Sequence, residues 1–450
     1  MTPTFLSFLD ELFPRSMIYR KAVCPLVVRE TSEPFRVFPY RERHIQCLWA
    51  DSRFRPTGLK TSSGEAVVVE HPGDWNLEAG PDFLRAVLLV GAEKRRICAD
   101  LEIHIHPNAW VQHHHNTDKR YKNVRFHVVY FQGSEIPGLL QIPLQKIVAH
   151  DPAFSFENID PTAYPYAVPH GSFPLKDMPI DRKIDWLESA GEERLRLKSA
   201  RLLVAMQSES PEEILWQELM SALGYKNNKQ PFRRLATLLP LQQLRTMVAT
   251  PTEAYALLMG VSGLLPRNML SDWSGETQQF VRQLWDIWWK KSGTFSSITL
   301  NKSDWRFQNL RPVNHPVRRL MAAAHYVFDI PDVAQNPEKL STFPSTYWRT
   351  HLSWKKECSP TALVGRSRAN AMITNVLIPW RAATNSVPIQ FEALAREPLN
   401  HIIKQTAFAL FGPDHTQKIY RSALARQGII QVFYDYLLPR RMDELQHLFS

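Results

Sequence analysis

Four cysteines, Cys24, Cys47, Cys98 and Cys358, are all that 450 residues contain, and no C-x-x-C pair is among them. That excludes the common structural zinc site built on paired thiolates. It also fits an expectation of reduced thiols in a cytoplasmic setting. No run of about 20 apolar residues occurs, so no membrane-crossing helix is expected. The opening MTPTFLSFLDELFPRS carries Asp10 and Glu11 where a secretory leader needs an uninterrupted apolar stretch, and it lacks a basic start and a small-residue cleavage site. The 17 glycines follow no period, which excludes collagen-like and low-complexity classes, and the 11% aromatic content excludes a disordered chain. A Walker loop, a G-x-G-x-x-G turn and a G-x-S-x-G elbow are all missing, so ATPase, dinucleotide-dependent and serine-hydrolase readings lose their main support.

What remains is a globular composition with a basic surplus. There are 54 Lys and Arg against 44 Asp and Glu, a formal net charge of +10. A surplus of that size argues for contact with a polyanion and leaves the fold open. Residues 1–150 alternate short β-like runs with Gly and Pro punctuation: 65–69, 84–90, 97–105 and 124–131. Before them, ERHIQCLW at 42–49 spaces Ile45, Leu48 and Trp49 along one helical face. Residues 151–180 hold prolines at 152, 161, 165, 169, 174 and 179, a density that fits a linker or wrapping arm. From Asp181, a candidate N-cap, the helical period takes over to residue 450, with segments at 211–223, 232–239, 252–259, 276–291, 317–327 and 417–437. The expectation is an α/β domain followed by an all-α domain.

Histidine is concentrated where chemistry is expected. In ADLEIHIHP, strand alternation puts Asp100, Glu102, His104 and His106 on one face, and Leu101, Ile103 and Ile105 on the other, buried one. The polar row then faces either water or a site, because burying it unpaired is costly. Upstream, the turn Gly80-Pro81-Asp82 leads into the strand at 84–90, so Asp82 and Glu102 are expected to converge across neighbouring strands. Paired carboxylates suit Mg²⁺ or Mn²⁺, which activate water and neutralise phosphate charge. Downstream, His113 and His115, or His114 with Asp118 on a helical turn, join His106 and His127 as further ligands, and this imidazole-rich set also suits zinc. Lys119, Arg120 and Lys122 beside them are candidate phosphate contacts. Farther on, Arg311, Arg318 and Arg319 lie in and after a Pro-bracketed loop that opens a helix, and are read as nucleic-acid contacts.

The order helix, three strands, connection, strand, with Pro81-Asp82 and then Glu102-Ile103-His104, resembles the core of PD-(D/E)XK nucleases. The resemblance implies a restriction-endonuclease-like mixed sheet with flanking helices, with Glu42, Asp82 and Glu102 as metal carboxylates. The motif lysine is replaced by His104, a group that is mostly neutral near pH 7 and is assigned here to the metal or its water. The strings ERHIQCLW, PGDWNLEAGPDFLRA and DLEIHIHPNAWVQHHHNTDKRYKNVRFHVV, with GYKNNKQPFRRL, RPVNHPVRRL and NVLIP farther on, resemble the uncharacterised bacterial family DUF2851. The functional expectation is a metal-dependent nuclease acting on DNA or RNA. The alternatives are a catalytically inactive nucleic-acid-binding or scaffold protein, and a zinc hydrolase of a small substrate.

Overall fold

The computed structural model describes residues 4–23, 40–76, 80–113, 115–149, 154–165, 173–225, 227–295, 299–308, 310–341, 347–384 and 398–439, with Phe38, Phe343, Phe391, Leu394, Arg396, Met442 and Leu445. His114 lies outside the described residues. The helices are α1 (Thr4–Leu12), α2 (Ser16–Val23), α3 (Glu42–Ala50), α4 (Ala109–Gln112), α5 (Gln145–Ala149), α6 (Ile180–Ala205), α7 (Pro211–Gly224), α8 (Lys229–Leu238), α9 (Leu241–Met247), α10 (Pro251–Val261) and α11 (Gly275–Lys291). Then follow α12 (Pro316–Gln335), α13 (Tyr347–Thr350), α14 (Arg366–Met372), α15 (Ile378–Thr384), α16 (His401–Phe411) and α17 (Ala423–Val432). The strands are β1 (Val67–His71), β2 (Asp74–Trp75), β3 (Phe83–Val90), β4 (Arg95–His104), β5 (Val124–Val129) and β6 (Leu140–Pro143). An α/β part precedes a helical part, as the change of period predicts.

The six strands form one mixed sheet in the order β1-β3-β4-β5-β6, with β2 on β3. β1, β3 and β4 run antiparallel, whereas β4–β5 and β5–β6 are parallel. A parallel neighbour needs a long crossover, and residues 105–123 supply one between β4 and β5. One face of the sheet meets α3: Ile45, Leu48 and Trp49 pack with Leu101, Ile103, Phe126 and Val128, all fully buried. Hydrophobic alternation in β4 and β5 selects that face.

The helical part is organised by α6, whose N-terminal half packs with α2, α16 and α17 and whose C-terminal half enters the larger core of α7 to α15. Two glycines set the closest crossing. A Cβ on Gly191 would lie 2.2 Å from the Leu424 carbonyl oxygen, and one on Gly428 1.8 Å from that of Leu187, so α6 and α17 touch backbone to backbone. Although they precede the sheet in sequence, α1, α2 and the turn between them contribute Leu9, Tyr19 and Phe13 to the helical cores. Asp181 lies inside the first turn of α6, with Pro179 at the cap position; an acid there still favours the positive end of the helix dipole. The arm at 154–165 wraps the junction, where Glu157 meets Arg201 of α6 at 2.8 Å.

Candidate metal centre

An irregularity in the β3–β4 ladder places the two carboxylates. The register runs Phe83 to Leu101 and then Ala86 to Ala99, one extra residue on β3, and Arg85 takes φ +56° there. Such a bulge bends the strand and re-aims its side chains. Asp82 therefore stands opposite Glu102, and its backbone N–H donates to Glu102 Oε2 at 3.0 Å. The Asp82 carboxylate turns to structural partners: Oδ2 accepts from the Ile103 backbone N–H at 3.0 Å and Oδ1 from Gln46 Nε2 at 2.7 Å. Asn76 holds the turn, its backbone N–H donating to the Asp82 carbonyl at 2.9 Å and its side chain to that of Pro81 at 2.8 Å. The structure sets the Asp82 backbone, not its carboxylate, against Glu102. The Asp82 oxygens tie β3 to β4 and α3, and Asp82 is not among the residues whose ligand atoms cluster. From α3 the side chain that reaches Asp82 is Gln46, one turn beyond Glu42, and Glu42 joins no group of ligand atoms among the described residues.

The face of β4 carrying Glu102 and His104 is buried, contrary to a half-exposed strand. Glu102 is 6% exposed, and His104 and His127 are fully buried. The cover is the 105–123 crossover, which lays Trp110 over the His127 and His115 rings (centroids 5.6 and 5.3 Å) and stacks Tyr121 on His115 at 3.9 Å. Parallel pairing sets His127 beside Glu102, so β5 adds an imidazole from the next strand.

Three imidazoles meet beneath this cover, with a carboxylate beside two of them. His104, His113 and His115 each offer a ring nitrogen, and these atoms lie within 4.8 Å of one another. Glu102 Oε1 sits 3.3 Å from His115 Nε2 and 3.6 Å from His104 Nε2. A tetrahedral ion with bonds of roughly 2.0–2.1 Å holds its donors roughly 3.3–3.4 Å apart, so these separations match the edges of a coordination shell. Behind the cluster, His104 Nδ1 is 2.9 Å from His127 Nε2. With the proton on His104 Nδ1, that ring donates to His127 and presents its Nε2 lone pair to the cluster, the outer-shell arrangement usual for metal-ligating histidines. Burial, reinforced by the nearby His113, pushes the His115 pKa down to about 3, and burial alone lowers that of His127 to about 4. Both rings are therefore neutral near pH 7, the form that ligates.

The other predicted residues separate. His106 stacks on Phe131 at 4.7 Å and is not in the group of clustered ligand atoms. Arg120 is paired with Asp118 at 2.6 Å. Lys119 and Lys122 are exposed and, with Arg125, border an 810 Å³ cleft whose wall also includes Trp110, His115 and Tyr121. Arg318 is fully buried and Arg319 is 5% exposed. Arg318 Nη2 donates to the carbonyls of Trp348 at 2.8 Å and Thr361 at 3.3 Å, and Arg319 Nη1 to that of Leu363 at 2.8 Å. Neither can touch nucleic acid, and both nucleic-acid assignments are corrected. Arg311 is exposed on the loop ahead of them. Sequence reasoning missed Gln46, whose signal was its place one turn from Glu42 on the same helix face.

A family model described as "Protein of unknown function (DUF2851)" matches residues 42–402. No curated protein and no solved structure matches the chain.

Proposed function

Since the chain belongs to the DUF2851 family, whose description assigns no activity, we infer its chemistry from its residues and propose a metal-dependent hydrolase of nucleic-acid phosphodiesters. The observation that carries this reading is the meeting of His104 Nε2, His115 Nε2 and Glu102 Oε1 at 3.3 and 3.6 Å, with His113 beside them. Three nitrogens and one oxygen favour zinc, or manganese, over magnesium, which prefers oxygen donors throughout. A cation held there would supply charge for a phosphate and acidify a bound water.

The chain's own residues do the rest. Glu102, anchored through Oε2 by the Asp82 N–H, keeps Oε1 directed at the imidazoles. His127 Nε2, 2.9 Å from His104 Nδ1, orients that ring. Trp110 and Tyr121 keep bulk water off the buried side, and His113, the exposed member, marks the side from which substrate enters. Lys119, Lys122 and Arg125 along the adjoining cleft give a phosphate backbone its cations. The helix, antiparallel strands, crossover and parallel strand occur in the order implied by the PD-(D/E)XK resemblance, which supports a polymer of nucleotides over a small substrate.

The test is incubation of the full chain with single- and double-stranded DNA and RNA, in Zn²⁺, Mn²⁺, Mg²⁺ or chelator. The expected result is cleavage with Zn²⁺ or Mn²⁺ that chelator stops. His115→Ala and Glu102→Gln should each lower the rate by at least about 100-fold, in line with the loss of an inner or outer metal partner. Full activity in chelator or in either variant, or no cleavage with any metal, would overturn the reading.

A further inference from the structure

The 810 Å³ cleft beside the metal centre is built from two unlike chain segments. The end of the crossover and the start of β5 make it basic. Lys119, Lys122 and Arg125 line it and are exposed. Arg125 is anchored through Nη1, which donates to the carbonyls of Lys122 at 3.2 Å and Val124 at 2.9 Å. The acid on this segment, Asp118, is held by Arg120 at 2.6 Å. Among the described residues, no carboxylate pairs with Lys119, Lys122 or Arg125.

The second segment is the turn ahead of β6, and it is apolar. Ile136, Pro137 and Leu139 line the cleft there, Pro137 exposed and the other two half-buried. Val111 of α4, 53% exposed, adds a further apolar side chain to the lining. Apolar groups left in water around one concavity mark a surface that a ligand covers. The cleft also reaches the chemistry, because His115 belongs both to its lining and to the imidazole cluster.

The form of the nucleic acid follows from this pairing of walls. A duplex turns its bases inward and offers a protein mainly phosphates, so it engages the cations and leaves the apolar turn idle. A single strand offers both phosphates and splayed bases, and apolar side chains accept the faces of such bases.

We propose that this cleft holds a single strand of DNA or RNA, its phosphates along Lys119, Lys122 and Arg125 and a base against Ile136, Pro137 and Leu139. The proposal deepens the hydrolase reading and rests on it in one respect, that the strand so held is what the metal centre cuts.

The test is fluorescence-anisotropy titration of the full chain, in chelator, with labelled single strands of DNA and RNA, the matching duplexes, an abasic DNA strand of equal length and polyglutamate. Single strands should bind at least about tenfold more tightly than duplex or abasic strand, the scale of one seated base; the tighter of DNA and RNA names the source. Replacing both lysines, Lys119→Gln with Lys122→Gln, should weaken single strands about tenfold and flatten the salt dependence by about one unit of slope, with an unchanged thermal melt. Ile136→Ser should weaken the single strand about fivefold and leave the abasic strand as it was, the scale of one apolar contact. Glu102→Gln, outside the cleft lining, should bind strands as the parent does, so binding is read whatever the fate of hydrolysis. Strand-selective binding by a chain that cuts nothing would support the cleft and overturn the hydrolase reading alone. Duplex, abasic strand or polyglutamate bound as tightly as the single strand, or parental affinity in the double lysine variant, would overturn this proposal and leave the hydrolase reading standing.

Discussion

The sheet region and the helical region both bury polar side chains, and they do so in opposite ways. In the helical region, donors meet acceptors. Arg318 and Arg319 give their protons to the carbonyls of Trp348, Thr361 and Leu363, and Arg245 and Arg381 do the same for those of Val327 and Ala334. In the sheet region, ring nitrogens and a carboxylate crowd one point. The ring nitrogens of His104, His113 and His115 gather around one another, and Glu102 turns a carboxylate oxygen toward two of them. Burying polar atoms is cheap when each finds its complement and expensive when like faces like. Burial alone therefore does not distinguish a site from a girder. The kind of partner does.

The comparison can be broken by truncating one buried group in each region. Arg318→Met removes the donor for buried carbonyls on two segments and should destabilise the chain by about 3 kcal/mol, read as a shifted denaturation midpoint with an unchanged slope. Its metal content should not change. His127→Ala acts the other way. It should weaken metal affinity about 10–100-fold in a chelator competition, because the ring that orients His104 is gone, and its melting point should fall less than that of Arg318→Met. If His127→Ala cost stability alone, or Arg318→Met cost metal alone, the contrast between the regions would fail.

Much of the site was legible from the strand period and the density of histidine. ADLEIHIHP placed Glu102 and His104 on one face, and the density of imidazoles from His104 to His127 marked the surroundings. The period could not say what covers that face. Coverage depends on the path of the 105–123 crossover, and that path is fixed by parallel pairing of β4 with β5, a contact distant in sequence. For the same reason Asp82 was read as a ligand. A Pro-Asp pair at a strand entrance looks the same whether the carboxylate faces an ion or caps the Ile103 N–H across a bulge. Arg318 and Arg319 were misread for a related cause, since a guanidinium recognises a phosphate and a cluster of carbonyls with the same geometry. The close contact of α6 with α17 was not foreseen, although Gly191 and Gly428 inside helical stretches were a signal, because glycine there costs helix propensity and calls for a packing reason.

The most direct test of the account is elemental analysis of the full chain after exposure to Zn²⁺ or Mn²⁺ and removal of loosely held ions by desalting. The account predicts about one equivalent retained by the parent protein, in keeping with a single cluster of nitrogen and oxygen donors, and loss of that ion in His104→Ala and His115→Ala variants that still melt cooperatively. Retention of no metal by the parent, or of the same amount by both variants, would contradict it.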